Sequence, residues 1–176
     1  MSGGLYDIAE PGQSAIKVAC KGRAIGIDLG TTNSLVAVVR DGSPVCLRDE
    51  EGRALLPSVV RYQARGAPIV GAVAEREAAA HPRDTLASTK RMMGRSAADV
   101  LARQGERRFA QYELVTDGGP VARLRVAGDR EVTPIEVAAE ILKTLRARAE
   151  TQLDSELEGT VITVPTYFDD AQRQTT

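Results

Sequence analysis

Apolar and polar positions alternate most clearly in three short runs near the start of the chain. Residues 24–29 and 34–39 are rich in β-branched and small apolar side chains, which predicts two strands joined by a turn. Asp41 and Gly42 follow, and this pair favours a two-residue hairpin into a third strand over 44–47. The pattern therefore predicts a three-stranded meander.

The residues before the meander show no such periodicity. Residues 1–23 contain Gly3-Gly4 and Pro11-Gly12 among mixed charges. Because this composition gives no apolar face to bury, we expect a flexible N-terminal arm.

The stretch 52–132 has a less regular pattern of short apolar runs. We predict from it two strands, then two helices, then two strands around a Gly-Gly-Pro turn: 55–62, 69–73, 73–80, 85–93, 112–116 and 122–126. We interpret this stretch as an insertion with its own small core.

A helix begins clearly at Thr133. Thr133 can cap the helix, Pro134 suits its first position, and Glu136 completes a capping box. Apolar residues then recur at helical spacing as far as Ala149, which predicts a helix over about 134–152.

A β-branched run over 159–164 follows this helix and predicts a buried strand that ends at Pro165. The last residues begin another helix pattern, with Asp169 or Asp170 as its cap. A single helical turn that is not followed by further turns is unstable. We therefore expect that residue 176 is not a domain boundary.

Composition excludes several classes of protein. Of the 176 residues, 43% are hydrophobic and 27% charged, and the formal net charge of −1 gives no general attraction to nucleic acid. No apolar run reaches the length of a membrane span and no leader pattern is present, so we expect a cytoplasmic protein without membrane partners.

The two cysteines and the single histidine give no metal or disulfide pattern. Cys20 and Cys46 are far apart in the sequence and lack histidine partners nearby. We interpret both as reduced thiols, Cys46 on a strand, and His81 as a loop residue.

The turn between the first two strands carries the candidate chemistry. Gly30 can adopt a positive φ at little cost, which would direct the amides of Thr31, Thr32 and Asn33 toward one anion. The threonine hydroxyls can add hydrogen bonds to phosphate oxygens, and Asp28 can hold a water of a hydrated Mg²⁺. These residues therefore form a candidate phosphate and metal site.

The same residues allow a simpler interpretation. Asn and Thr favour turns through hydrogen bonds to their own backbone, and Gly favours turns without any ligand. On composition alone an ordinary hairpin turn remains an alternative.

Three longer segments resemble the seventy-kilodalton heat-shock chaperones, whose ATPase domain shares the actin and sugar-kinase fold. They are IDLGTTNS at 27–34, KRMMGR at 90–95 and VITVPTYFDDAQRQ at 161–174. The resemblance implies an α/β, ribonuclease-H-like fold of which this chain is the first lobe. Its two parts, 24–51 and 133–176, would enclose the inserted α/β subdomain at 52–132.

The resemblance also implies residue roles. ATP or ADP would bind with Mg²⁺, with Asp28 near the metal waters, and with Gly30, Thr31, Thr32 and Asn33 at the phosphates. Lys90 would reach the γ-phosphate and the attacking water. Without the resemblance, Lys90 is simply a solvated helical lysine.

Two further residues match positions that relay nucleotide state to the peptide-binding domain in this family, Pro165 and Arg173. The alternative is a proline that ends a strand and an exposed arginine. Thr166 departs from the alanine usual at its position, which leaves the detail of this relay open.

Within the family, the segments IAEPGQSA, LLPSVV and DDAQRQ are more similar to the HscA-type branch than to the DnaK-type branch. This similarity implies an ATP-driven chaperone for iron-sulfur cluster assembly, with a J-domain co-chaperone and an iron-sulfur scaffold as client. The family's remaining nucleotide contacts lie beyond residue 176, so we expect this chain alone to be nearly inactive.

Two alternatives remain. A sugar or glycerol kinase shares the superfamily turn, but it predicts a substrate-binding arginine soon afterwards, where this chain has Ser34, Leu35 and Val36. A stand-alone interaction module without catalysis is the other alternative.

Overall fold

The computed structural model describes residues 23–104, 111–155 and 157–164. The predicted arm before Arg23, with Cys20, lies outside the described residues, and so does the helix predicted to begin at Asp169 or Asp170.

The described residues form eleven strands and three α-helices. The strands are β1 Arg23–Asp28, β2 Asn33–Arg40, β3 Ser43–Cys46, β4 Leu56–Pro57, β5 Val59–Arg61, β6 Ile69–Val70, β7 Thr85–Ala87, β8 Glu113–Val115, β9 Arg123–Val126, β10 Arg130–Val132 and β11 Leu157–Thr163. The helices are α1 Ala72–Glu77, α2 Ala97–Gln104 and α3 Pro134–Leu153.

The main sheet has the order β11-β1-β2-β3, and β4 also pairs with β2. β1 and β2 are antiparallel, whereas β11 is parallel to β1. The predicted meander is therefore confirmed. Its second turn is a tight hairpin in which Asp41 and Gly42 have φ of 51° and 76°, as the Asp-Gly pair predicts.

The predicted long helix is also confirmed, as α3. The Thr133 side chain accepts a hydrogen bond from the Glu136 amide, and the Glu136 carboxylate accepts one from the Thr133 amide. α3 contacts β1 and β2. Its buried residues join those of the two strands in one core, which includes Ile25, Ile27, Val36, Val38, Ile141 and Leu145.

The strand predicted over 159–164 exists as β11, but it is not buried as expected. Its residues are half-buried or exposed, and Val161 is 68% exposed. The reason is its position, since β11 pairs only with β1 and forms an edge of the sheet among the described residues.

One helix predicted in the 52–132 stretch is wrong. Residues 85–93 form β7 and then a 3₁₀ turn, Thr89–Met92, with Ser88 in the left-handed region at φ 58° between them. β7 pairs with β5, where Thr85 and Leu86 are buried. Pairing with a distant strand thus outweighs the local helical pattern.

The other elements of this stretch are shorter than predicted or were not foreseen. β6 and α1 take only parts of 69–73 and 73–80, and the 55–62 run is divided at Ser58 into β4 and β5. The strands predicted at 112–116 and 122–126 are confirmed as β8 and β9, while α2 and β10 were not predicted. β4 lies within the predicted insertion but pairs with β2 of the main sheet. The division into two subdomains stays a prediction.

Two smaller expectations are confirmed. Cys46 lies on a strand as a free, exposed thiol, and His81 lies in the connection between α1 and β7. Among the described residues, no helix combines the length and apolar character needed to cross a membrane.

Candidate functional site

The candidate site is the turn between β1 and β2, at the carboxyl end of β1. Leu29 is 2% exposed and anchors the turn in the core. Asp28, Thr32 and Asn33 are exposed, so the polar side chains of the turn face solvent.

Gly30 does not adopt the positive φ that we predicted. Glycine is required for a different reason, because a Cβ at this position would lie 2.0 Å from the carbonyl oxygen of Asn33. The turn therefore depends on a close approach of two backbone segments. Without a left-handed residue among 28–33, it lacks the alternating backbone of the anion nest that we expected.

Two buried serines close the turn. The Ser58 hydroxyl donates to the Gly30 carbonyl at 2.9 Å and lies 2.9 Å from the Ser34 hydroxyl, which accepts from the Gly30 amide at 3.2 Å. The Ser58 amide also donates to the Thr32 carbonyl at 2.8 Å. Ser58, between β4 and β5, is thus joined to the turn on both sides of Thr31. Sequence reasoning gave these serines no role in the site.

The amides of Thr31 and Thr32 make no hydrogen bond to any part of the chain that the structure describes. The turn's own closing bonds use the Gly30 amide and the carbonyls of Gly30 and Thr32. Two backbone donors at an exposed turn are therefore available to an anionic ligand.

Asp28 has a partner that the sequence did not reveal. In the parallel pairing of β1 and β11 its register partner is Thr163, whose hydroxyl donates to Asp28 Oδ1 at 2.7 Å. Because parallel strands end at the same edge of a sheet, residues 135 positions apart in the chain meet here.

Lys90 is brought to the same place by the 3₁₀ turn. Its side chain is buried, with 8% of the residue exposed, and its ammonium donates to the carbonyl of Leu29. Burial lowers the pKa of Lys90, and the nearby Asp28 carboxylate opposes this change. The interpretation of Lys90 as a solvated helical lysine is therefore wrong.

Lys90 and the turn enclose a cleft of about 10 Å³, lined in part by Gly30, Thr31 and Ser58. This volume holds about one water molecule, so a phosphate group has to bind on the exposed side of the turn. Among the sequence-predicted residues, the structure brings Asp28, Gly30, Thr31, Thr32, Asn33 and Lys90 together. Pro165 and Arg173 lie outside the described residues.

The described donor set also suits one kind of metal. The described ranges contain no group of three or more His, Cys, Asp or Glu side chains arranged to hold a metal ion. Mg²⁺ commonly keeps its waters and uses one or two carboxylates with substrate phosphates. The exposed carboxylate of Asp28 beside the free amides fits that mode.

Residues 24–176 match the family model described as Hsp70 protein, and the chain belongs to this family. The mixed α/β architecture is consistent with the ribonuclease-H-like fold of its ATPase domain. The chain is 53% identical over 172 residues to the chaperone protein HscA homolog of Aromatoleum aromaticum and 54% identical to the chaperone protein HscA of Edwardsiella ictaluri. These matches cover 98% of this chain and 26% and 27% of the two relatives, so the chain spans about a quarter of their length.

Proposed function

We propose that this chain is the phosphate-binding part of an ATP-dependent chaperone that couples ATP hydrolysis to binding and release of peptide. The observation that carries the proposal is the convergence of three segments on one turn. The turn offers two free amides, β1 ends in a carboxylate, and the 3₁₀ turn supplies a buried ammonium.

Each group has a chemical task in this proposal. The amides and hydroxyls of Thr31 and Thr32, with Asn33, bind the β- and γ-phosphates of ATP or ADP. Asp28 orients waters of a bound Mg²⁺, which neutralises phosphate charge when present. Lys90 supplies a fixed positive charge beside the γ-phosphate, where negative charge develops during transfer.

Burial makes the charge of Lys90 more effective in this role. A desolvated ammonium interacts more strongly with a phosphate than an exposed ammonium does, because water screens it less. The cost of burying the charge is partly offset by the Leu29 carbonyl and the Asp28 carboxylate.

We also propose that this chain by itself turns over ATP slowly. Asp28, Thr32 and Asn33 are open to solvent, and electrostatic catalysis is strongest where water is excluded. Further segments that cover the phosphates are needed for fast turnover. Pro165 and Arg173 stay proposed as the relay to a peptide-binding domain.

The proposal is tested by ATP hydrolysis and ADP binding in the complete gene product, compared with Asp28→Asn. We expect Asp28→Asn to lower Mg²⁺-dependent turnover at least tenfold, since a water-orienting carboxylate is lost. Asp41→Asn is the matched control, because Asp41 is an exposed aspartate in the hairpin away from the site. Equal turnover in all three proteins would contradict the proposal, and phosphorylation of a sugar would favour the kinase alternative.

The finer assignment is to cytoplasmic iron-sulfur cluster assembly, with a J-domain co-chaperone and an iron-sulfur scaffold as client. It is supported by the names of the HscA relatives and by the segments that resemble that branch. We expect a purified scaffold and its J-domain partner together to raise ATP turnover more than an unrelated unfolded peptide does. Equal stimulation by the unrelated peptide would favour a general chaperone.

A further inference from the structure

We propose that Thr163 is a positioning residue for Asp28, and that it sets how tightly the site uses Mg²⁺. This inference rests on the proposed function. It begins from the hydrogen bond that the Thr163 hydroxyl donates to Asp28 Oδ1 at 2.7 Å, the usual distance for a well-formed O–H···O bond.

The sheet determines that these two side chains meet. Asp28 and Thr163 are register partners in the parallel pairing of β1 and β11, and each is the last residue of its strand. On the other side, Asp28 pairs with Leu35 of β2, whose side chain has no hydrogen-bond donor. Of the two register partners of Asp28, Thr163 of β11 is therefore the one whose side chain orients the carboxylate.

Threonine suits this task better than serine does. Its β-branched side chain has few accessible χ1 rotamers, so the hydroxyl is held in place by the strand backbone. The bond occupies one carboxylate oxygen, Oδ1, and leaves Oδ2 to interact with a metal-bound water. An oriented carboxylate loses less rotational freedom when the hydrated ion binds.

A second feature supports an electrostatic role for this corner. The Asp28 carboxylate accepts the hydrogen bond from Thr163 and also interacts with the charge of Lys90, which the 3₁₀ turn holds at the Leu29 carbonyl. Thr163 thus orients a carboxylate that lies near a fixed positive charge.

The test uses the complete gene product and measures ADP affinity as a function of Mg²⁺ concentration, and also in EDTA. Thr163→Val keeps the shape and removes the hydroxyl, whereas Thr163→Ser keeps the hydroxyl. Thr160→Val is the matched control, because Thr160 is exposed on the same strand and its hydroxyl makes no hydrogen bond within the described residues.

We expect Thr163→Val to raise the Mg²⁺ concentration for half-maximal effect about tenfold, as is typical when a metal-site carboxylate loses its hydrogen-bond partner. In Thr163→Ser this Mg²⁺ concentration should stay within about threefold of the wild-type value. In Thr160→Val it should equal the wild-type value. ADP affinity in EDTA should be the same in all four proteins, which a general loss of structure would not produce.

Three results would overturn the inference. They are an unchanged Mg²⁺ dependence in Thr163→Val, equal defects in the Val and Ser variants, or a loss of ADP affinity that is as large in EDTA as with Mg²⁺. If the wild-type protein binds ADP without any Mg²⁺ dependence, the proposed function of Asp28 fails as well, so the two failures are distinguishable.

Discussion

The Lys90 ammonium donates a hydrogen bond to the carbonyl of Leu29, across 61 positions of sequence. Leu29 is buried at the end of β1, directly before the glycine of the turn. The 3₁₀ turn at Thr89–Met92 is therefore attached to the backbone of the candidate phosphate site. The positive charge of Lys90 comes from a distant part of the sequence, and its hydrogen bond to Leu29 holds it at the turn between β1 and β2.

Replacing Lys90 by methionine tests whether this charge acts in catalysis. We expect Lys90→Met to lower ATP turnover of the complete gene product about 100-fold or more, because a fixed positive charge near the γ-phosphate is lost. The fold should persist, since methionine fills a similar volume and has no charge to desolvate. Phosphate release measures the turnover, and circular dichroism checks the fold.

Lys143→Met is the matched control for this substitution. Lys143 is on the surface of α3, where its side chain is 70% exposed and pairs with Glu140. We expect turnover in this variant to stay within twofold of wild type, since exposed ion pairs contribute about 0–1 kcal/mol. Similar turnover in the two variants would contradict a special role for Lys90.

Gly30→Ala tests the close approach inside the turn. The added Cβ would meet the Asn33 carbonyl oxygen at 2.0 Å, so the backbone has to move and the serine hydrogen bonds weaken. We expect the free energy of unfolding to fall by about 2 kcal/mol in denaturant titration. Gly26→Ala in β1, the strand that leads into the turn, is the control, because nothing lies within 4 Å of its Cβ position, and it should leave stability unchanged or slightly raised.

Ser58→Ala tests the buried hydroxyl network. Removing this hydroxyl leaves the Gly30 carbonyl without its donor and the Ser34 hydroxyl without its neighbour, so we expect a loss of about 2 kcal/mol in unfolding free energy. Ser34→Ala and the double variant complete a cycle, whose total loss should be smaller than the sum of the single losses. Additive losses would contradict the network, and Ser43→Ala on exposed β3 should change stability by less than about 0.5 kcal/mol.

Tyr62 predicts a pH dependence of stability. Burial raises the pKa of its phenol above the ordinary value of 10.0, and the hydroxyl is buried with no hydrogen-bond partner among the described residues. Above pH 10 the unfolded chain releases this proton while the folded chain keeps it. Stability is therefore present below pH 10 and is lost as the pH rises further.

The measurement compares wild type with Tyr62→Phe in urea titrations from pH 8 to pH 11. We expect the variant to be about 1 kcal/mol more stable at pH 8, because an unpaired buried hydroxyl is removed. Above pH 10 the advantage should grow by about 1.4 kcal/mol per pH unit. Lys90 titrates in both proteins with the opposite sign, since its pKa is lowered by burial, and so it cancels in the difference. A difference independent of pH would contradict a raised pKa of Tyr62.

Local patterns alone predicted several elements correctly. The Asp41-Gly42 hairpin, the Thr133 capping box and the apolar spacing of α3 depend on residues within four positions of one another. Such contacts depend on short-range geometry, so the sequence determines them without knowledge of the rest of the fold. The candidate residues of the turn were identified in the same way.

Other features depend on contacts between distant segments. The helix predicted over 85–93 is instead a short strand followed by a 3₁₀ turn, because β5 offers hydrogen bonds to residues 85–87, and β11 is half exposed because it lies at an edge. The predicted reason for glycine at position 30, a positive φ, was also wrong. Only the folded turn shows how closely the Asn33 carbonyl approaches. Patterns along the chain carry no information on which distant groups come together.

The sequence by itself therefore determined the meander, the long helix and the polar residues of the turn, because each is a matter of neighbouring residues. Only the tertiary structure decided that Ser58 closes the turn, that Lys90 is buried against Leu29, and that Thr163 holds Asp28. These contacts form when sheet pairing and packing of the 3₁₀ turn bring separate segments together. Such long-range interactions depend on the whole fold and not on neighbouring residues.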